Sequence, residues 1–299
     1  MAVRAGGCEV LVRQRLRALT RSLPAARAGE VSAIHQARVA TRRLREALPV
    51  VSDGPRGRKI ERVVRRLTQS LGPVRELDVA LLMLEEFSGA PDVPRAGVSC
   101  LQQVVREERR RMHADMAKAV ERCNLQKLTR KAVAAAKKRD DQGGAGPRAR
   151  DPERLAAARA RAARRAERLS VTIENAAGIY LPDRLHEVRI AVKKLRYAME
   201  IARELSGSRA MARILTLKKA QDLLGRMHDL EVLIARTRAV QGAPNAPSLR
   251  LSADLDRLVR RLETECRQLH GHYIALRPAL LAICDHVIAL PERRRASAA

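Results

Sequence analysis

Two segments of the chain repeat each other without a gap. HQARVATRRLREAL begins at His35, and HEVRIAVKKLRYAM begins at His186. A second pair follows them: LGPVRELDV begins at Leu71 and LGRMHDLEV begins at Leu224, at spacings from the histidines that differ by two residues. An internal repeat of this kind indicates a duplicated structural unit. We therefore predict two halves related by an internal duplication, with a pseudo-twofold axis between them.

The residues of these segments, and of most of the chain, favour helices. Ala, Leu, Arg and Glu dominate, while Val and Ile recur at helical spacings rather than in alternating runs. A chain of 299 residues is long enough to bury two cores. The predicted fold class is all-α, with two four-helix bundles.

The clearest interruption of the helical pattern is KKRDDQGGAGPRARDP, residues 137–152. Its glycines and Pro147 disfavour a helix, and its charges disfavour burial. Shorter breaks are predicted at residues 52–57, 88–97, 206–208 and 242–248. We predict one domain over residues 1–299, made of an N-terminal bundle (1–137), a linker (138–152) and a C-terminal bundle (153–290).

The first repeat carries a basic stripe along one face of its helix. At about 100° per residue, its His and Arg positions fall within an arc of roughly 80°, opposite the apolar positions. The second repeat places its basic residues in the same way. Each stripe extends over roughly 15 Å, a length that suits several consecutive phosphates better than one small anion. The stripe residues are His35, Arg38, Arg42 and Arg45 in the first copy, and His186, Arg189, Lys193 and Arg196 in the second.

The LG segments supply a second group of candidates. Arg75 and His228 occupy equivalent positions, as do Arg66 and Lys219, and they are predicted as further cationic contacts. Asp78 and Asp229 are interpreted either as acceptors that orient stripe arginines or as ordinary surface acids. The Leu-Gly pairs that open both segments are interpreted as points of close helix packing.

The start of each stripe helix bears on its histidine. Ser32 and Asp183 each precede their histidine by three residues, which predicts N-caps and places both histidines in the first helical turn. Free backbone N–H groups there would add to an anion site. His35 and His186 are expected to be the only stripe members that titrate near neutral pH.

The overall charge points to a polyanionic partner. Lys and Arg number 60 against 33 Asp and Glu, which gives a formal net charge of +27. A basic stripe on one helix is most often only a solvated face, but the agreement of two copies favours a function. With no Trp, one Phe and three Tyr, few side chains can stack on unpaired bases, so single-stranded nucleic acid is disfavoured.

Other classes of site receive little support from the sequence. The five cysteines include no CxxC pair, and neither stripe histidine has a second ligand at a metal-binding spacing, so no metal and no cofactor are predicted. The sequence contains no run of about 18 apolar residues, the length expected of a membrane span. The N-terminal segment becomes charged before a signal peptide's apolar region could form. A cytoplasmic location is the expectation.

HQARVATRRLREAL with LGPVRELDV, and HEVRIAVKKLRYAM with LLGRMHDLEV, resemble the CHAD family, the conserved histidine α-helical domain. The duplicated pattern covers roughly residues 5–290. The resemblance implies two four-helix bundles about a pseudo-twofold axis, with a basic surface or channel that binds inorganic polyphosphate. One departure is that Glu231 stands where the first half has Asp78, which bears on the orienting role. The family's basic positions fall on His35, Arg38, Arg42, Arg43, Arg45, His186, Arg189, Lys193, Lys194 and Arg196.

These observations predict a non-enzymatic protein that binds inorganic polyphosphate, with association with polyphosphate granules as a further expectation. A protein that binds the RNA or DNA backbone is the first alternative, since any basic groove attracts phosphates. A phosphoryl-transfer or metal-binding protein that uses the two histidines is the second.

Overall fold

The structure is a computed structural model that describes residues 7–51, 54–142, 152–176, 178–206, 211–244 and 247–296. Within these ranges the chain forms α-helices and no strand, and the predicted all-α class is confirmed. The helices are α1 (Gly7–Arg27), α2 (Val31–Val51), α3 (Gly54–Ser88), α4 (Arg95–Glu121), α5 (Leu125–Gln142), α6 (Pro152–Ala176), α7 (Pro182–Ser206), α8 (Met211–Gln241) and α9 (Leu249–Ala296).

The apolar positions predicted to face the cores of α2 and α7 are buried. Leu44 of α2 and Leu195 of α7 are fully inaccessible, as are Ala37 and Val188 at equivalent positions of the two repeats. Burying such side chains stabilises a fold by roughly 1.5–3 kcal/mol for each of the larger ones. The opposite face of each helix is thereby fixed as the face that carries the basic residues.

The helices share cores in a pattern that joins the two halves of the chain. Helices α1 to α5 enclose two apolar clusters, and α6 to α9 enclose another. A middle core, made by α3, α4, α8 and α9, includes Leu77, Leu101, Leu233 and Leu262. Five helices are described before residue 143 and four after residue 151, so the first half has one more than predicted. The division into two duplicated four-helix bundles stays a prediction.

Several predicted boundaries differ from the structure. The breaks at 88–97 and 242–248 lie between helices, but α3 already begins at Gly54, inside the break predicted for 52–57. The turn at residues 122–124 was not predicted. Asn124 in this turn caps the start of α5, since its side chain accepts a hydrogen bond from the Lys127 amide at 2.8 Å. Helix α5 continues to Gln142, into the predicted linker. The remainder of that linker, 143–151, and positions 207–210 lie outside the described residues.

The predicted N-caps of the stripe helices are wrong by two residues. Helix α2 begins at Val31 and α7 at Pro182, so Ser32 and Asp183 lie inside the helices. The Ile34 amide already donates to the Glu30 carbonyl, and the Leu185 amide to the Leu181 carbonyl, both at 3.0 Å. Each stripe histidine is therefore the fifth residue of its helix, past the first-turn positions where N–H groups lack intrahelical acceptors.

Helices α2 and α7 contact each other across the two halves of the chain. This contact, together with the packing of α3 on α2 and of α8 on α7, positions the candidate site. In the part of the chain that the structure describes, no helix combines the length and apolarity needed to span a bilayer.

Candidate functional site

The contact between α2 and α7 brings the two basic stripes together. Arg38 and Arg42 from α2 lie within electrostatic range of Arg189 from α7. Lys193 from α7 lies within range of all three arginines. We call these four residues the cationic cluster. Two helices from separate halves of the chain thus build one concentration of positive charge.

The charges of the cationic cluster repel one another in a partly dehydrated setting. Burial, followed by the fields of Arg42, Arg189 and Arg38, lowers the pKa of Lys193 to about 7. Burial and the same neighbouring cations lower the pKa of Arg38 to about 10. The charged form of each group is disfavoured where it stands. A bound anion would relieve this repulsion directly.

The glycine of the first LG segment makes room for a stripe arginine. Arg38 Nη1 donates to the Thr68 carbonyl of α3 at 3.0 Å. A Cβ atom at Gly72 would lie 3.0 Å from the same nitrogen. At the equivalent Gly225, the nearest such atom is Arg189 Nε at 4.0 Å. The interpretation of the LG pairs as points of close approach is therefore refined: what comes close to the glycine is an arginine side chain of the stripe helix.

Arg42 is held from the opposite helix. Tyr197 of α7, which is 5% exposed, forms a side-chain hydrogen bond with Arg42. Burial lowers the pKa of Arg42, while Tyr197 and the carboxylate of Asp229 act in the opposite direction. Tyr197 therefore ties the two stripes to each other. Sequence reasoning missed this role, since Glu46 occupies the equivalent position in the first repeat.

Each stripe histidine lies near the LG-segment residue that was predicted as a further cationic contact, His228 for His186 and Arg75 for His35. His186 Nδ1 is 3.1 Å from His228 Nδ1, with the ring centroids 4.4 Å apart. Burial, Arg189, His186 and Lys193 lower the pKa of His228 to about 4. In the first half, burial and then Arg75 lower the pKa of His35. The two ends of the site thus differ, because one holds a permanent guanidinium charge where the other holds a neutral imidazole.

The two predicted orienting acids have different surroundings. Asp229 faces the site: burial raises its pKa, while Arg189 and Arg75 act in the opposite direction. Asp78 is fully buried and accepts a 2.5 Å hydrogen bond from Arg109 Nε, an arginine outside the stripes. Asp78 is thus neither a surface acid nor an acceptor for one of the stripe arginines, the two interpretations offered by the sequence. Glu76, which the sequence reasoning did not single out, also acts on Arg38 and Arg189.

The remaining basic residues of the repeats flank the cationic cluster. Arg196 is 7% exposed, donates to Gln221 Oε1 at 3.0 Å and pairs with Glu200, so its charge is already matched. Arg43 lies 3.8 Å from the same Glu200. Arg45 acts on Arg42, and also on Lys194, which lies near Arg165 and Arg168 of α6.

Arg66 and Lys219 were predicted as a second rank of contacts, and both are exposed. Each lies nine residues before its LG-segment partner, Arg75 or His228, which places it half a turn away on the other side of the helix. Lys218, one residue earlier than Lys219, instead lines a cleft of about 820 Å³ with His35 and Arg43. The role of Arg66 and Lys219 as contacts stays a prediction, and Lys218 is a further exposed cation of the same helix.

The described residues include no group of three or more His, Cys, Asp or Glu side chains placed to hold a metal ion. Arg189 and Lys193 act on both His186 and His228, while Asp183 and Glu187 act on His186 in the opposite direction and less strongly. A metal cation at this histidine pair would be repelled by Arg189 and Lys193.

Residues 10–238 match the family model of the CHAD domain. The chain belongs to the CHAD family. No curated protein matches this CHAD domain in sequence. The crystal structure of the CHAD domain from the plant Ricinus communis is 21% identical, with a TM-score of 0.61, over 97% of this chain and 94% of that one. PptA from Streptomyces chartreusis is 17% identical, with a TM-score of 0.62, over 90% of this chain and 97% of that one. At these identities the two structures show the fold.

Proposed function

We propose that this CHAD domain binds inorganic polyphosphate without acting on it, through the cationic cluster where α2 and α7 meet. The observation that carries the proposal is the placing of Arg38, Arg42, Arg189 and Lys193 from two repeats within mutual electrostatic range. The CHAD family is associated with polyphosphate. A cytoplasmic protein of this kind would associate with polyphosphate granules.

A linear polyanion suits the cluster better than a single phosphate. The cations come from two helices and continue along both, toward His35 and Arg75 at one end and His186 at the other. Successive phosphates of one chain can then neutralise successive cations. Each neutralised cation removes repulsion that now lowers the pKa of its neighbours, and each displaced counterion adds favourable entropy.

The surroundings of the histidines support binding rather than catalysis. Asp229, which lies near the cluster together with Glu76, is balanced by Arg189 and Arg75, and its pKa is raised by burial. Both stripe histidines have pKa values lowered by burial and by neighbouring cations. Because a lowered pKa leaves both imidazoles neutral near pH 7, they would meet phosphate oxygens as hydrogen-bond donors. Among the described residues, no carboxylate hydrogen-bonds to either ring to orient it as a catalytic base.

Binding of a nucleic-acid backbone is the competing function. A duplex would present phosphates to the same cluster, and the high net charge would attract it. What favours polyphosphate is that cations outnumber acids in the site described, and that Tyr197 is engaged by Arg42 and Arg196 rather than open to a base.

A competition experiment tests the proposal. Labelled long-chain polyphosphate is bound to the protein and displaced with unlabelled polyphosphate, RNA, duplex DNA or orthophosphate at one salt concentration. We expect polyphosphate to compete most strongly per phosphate, and both Arg42→Glu and Lys193→Glu to weaken binding by tenfold or more. Lys131→Glu, an exposed position on α5, is the matched charge control. Equal displacement by RNA or DNA, or a normal affinity in either folded cluster variant, would contradict the proposal.

A further inference from the structure

The loop before the first stripe helix is held by α4. Arg109 of α4 donates through Nη2 to the Gly29 carbonyl at 2.9 Å, and through Nε to Asp78 Oδ1 of α3 at 2.5 Å. One turn further along α4, His113 Nε2 lies 3.0 Å from the Arg27 carbonyl. The buried carboxylate of Asp78 is thus connected, through one guanidinium, to the backbone just before α2.

The loop before the second stripe helix is held by a shorter connection. Tyr180 lies between α6 and α7, and its hydroxyl donates directly to Glu231 of α8. The Tyr180 ring packs edge-on against His270 of α9, with centroids 5.3 Å apart. Burial and hydrogen bonds with Cys266 and Glu231 raise the pKa of Tyr180, so its hydroxyl remains a donor.

The two connections are equivalent in position. Gly29 and Tyr180 each precede their stripe histidine by six residues, and Asp78 and Glu231 each follow the leucine of their LG segment by seven. Tyr180 carries a hydroxyl, which donates to Glu231 directly. Gly29 presents its carbonyl, because its amide already donates to the Ala26 carbonyl, and a carboxylate cannot hydrogen-bond to a carbonyl. The guanidinium of Arg109 therefore donates to both Gly29 and Asp78, so the two halves differ in the donor that joins the carboxylate to the loop.

We propose that Asp78 and Glu231 are positioning residues: each carboxylate fixes the loop from which a stripe helix starts, and thereby sets the position of His35 or His186. Gly29 is two residues from the start of α2, and Tyr180 is two residues from the start of α7. The proposal rests on the proposed function only in treating the stripes as the binding surface. Releasing a loop would loosen the first turn of its helix and, through it, the histidine that immediately follows that turn, while the buried residues further along keep the rest of the helix in place.

The histidine ring signals of the ligand-free protein test this inference by NMR. The protein has seven histidines, and His35→Gln and His186→Gln assign the two that matter. We expect Tyr180→Phe, which removes one oxygen atom, to shift the His186 signal and leave His35 unchanged. The double variant Asp78→Asn with Arg109→Gln leaves no buried charge unpaired. It should shift the His35 signal and leave the His186 signal unchanged. Glu231→Asp, too short to reach Tyr180, should resemble Tyr180→Phe.

Affinity for long-chain polyphosphate should also fall several-fold in each folded variant. The inference is overturned if neither histidine responds to the release of its own loop, or if both respond equally to either release. Circular dichroism identifies any variant that has lost its helices, and Arg109→Lys then replaces the double variant. Failure of the wild-type protein to bind polyphosphate would refute the proposed function alone, because the histidine signals are measured without ligand.

Discussion

Lys193 stands out among the residues of the site because its environment opposes its own charge. Three arginines surround it, two of them from the other half of the chain, and burial lowers its pKa to about 7. The expectation that histidines alone titrate near neutral pH in the stripes is therefore wrong. The pKa of Lys193 could not be predicted from its own stripe, because two of the arginines that lower it lie on α2, whose position beside α7 the sequence does not give.

This environment predicts a pH dependence of polyphosphate binding. Phosphate favours the ammonium form and raises the pKa of Lys193 in the complex, so binding takes up protons. The affinity gained in this way is fully present below about pH 7, the pKa of the free protein, and is lost as pH rises through the higher pKa of the complex. Arginine keeps its charge throughout, so Lys193→Arg should flatten the dependence between about pH 7 and 9.

Calorimetry in two buffers of different ionisation enthalpy measures the proton uptake. The pKa values of His35 and His186 are lowered from 6.5. Replacing both with Gln should therefore change the pH dependence of binding below pH 7 and leave the dependence above pH 7 intact. A pH dependence that persists in Lys193→Arg but disappears in the His35→Gln, His186→Gln double variant would contradict the assignment to Lys193.

At the scale of the helices, the two LG glycines are related by the repeat but differ in their contacts. A Cβ atom at position 72 would lie 3.0 Å from Arg38 Nη1, whereas at position 225 it would lie 4.0 Å from Arg189 Nε. We predict that Gly72→Ala moves the Arg38 guanidinium off the Thr68 carbonyl and weakens polyphosphate binding a few-fold. Gly225→Ala should bind as the wild type does.

Both alanine variants gain helix propensity, worth roughly 0.5–1 kcal/mol in a helix interior. We therefore expect that weaker helix formation lowers the melting temperature of neither variant. Gly225→Ala should melt at a higher temperature than the wild type. Titration with long-chain polyphosphate and thermal melting, run side by side, separate the two effects. Equal binding by both variants would show that Arg38 tolerates the displacement.

The amphipathic pattern of α2 and α7 was sufficient to predict their buried and basic faces, because apolar periodicity determines which face of a helix is buried. The same pattern could not predict which residues those faces contact. Asp78 was interpreted either as an acceptor for a stripe arginine or as a surface acid, but it is buried and binds Arg109, 31 residues later on α4. The alignment that paired Lys219 with Arg66 gave no indication that Lys218 lines a cleft with His35 and Arg43. Contacts between helices depend on packing angles and side-chain reach, which a single sequence leaves open.

At the scale of the whole molecule, ion pairs connect the halves outside the site. Arg226 of α8 pairs with Glu86 of α3 at 2.8 Å, and Arg236 of α8 pairs with Glu76 at 3.1 Å. The middle core lies between the same helices. Because the cationic cluster is built by both halves, this packing has to oppose the repulsion between α2 and α7. Apolar burial, which salt does not screen, keeps the arrangement together when ion pairs weaken.

The salt dependence of binding separates contacts at the cluster from the attraction of net charge. Polyphosphate that replaces counterions should bind with an affinity that falls linearly on a log–log plot against salt, with a slope of several units. Arg42→Gln and Arg110→Gln each remove one positive charge from +27, but Arg110 is 75% exposed and pairs with Glu107 on its own helix. Removing a contacting cation should reduce the slope by about one, and removing a distant one should leave it unchanged.

Circular dichroism across the same salt range checks that both variants remain helical. Equal slopes in the two variants would mean that net charge governs binding, and a flat response in the wild type would indicate a pocket for a small ligand.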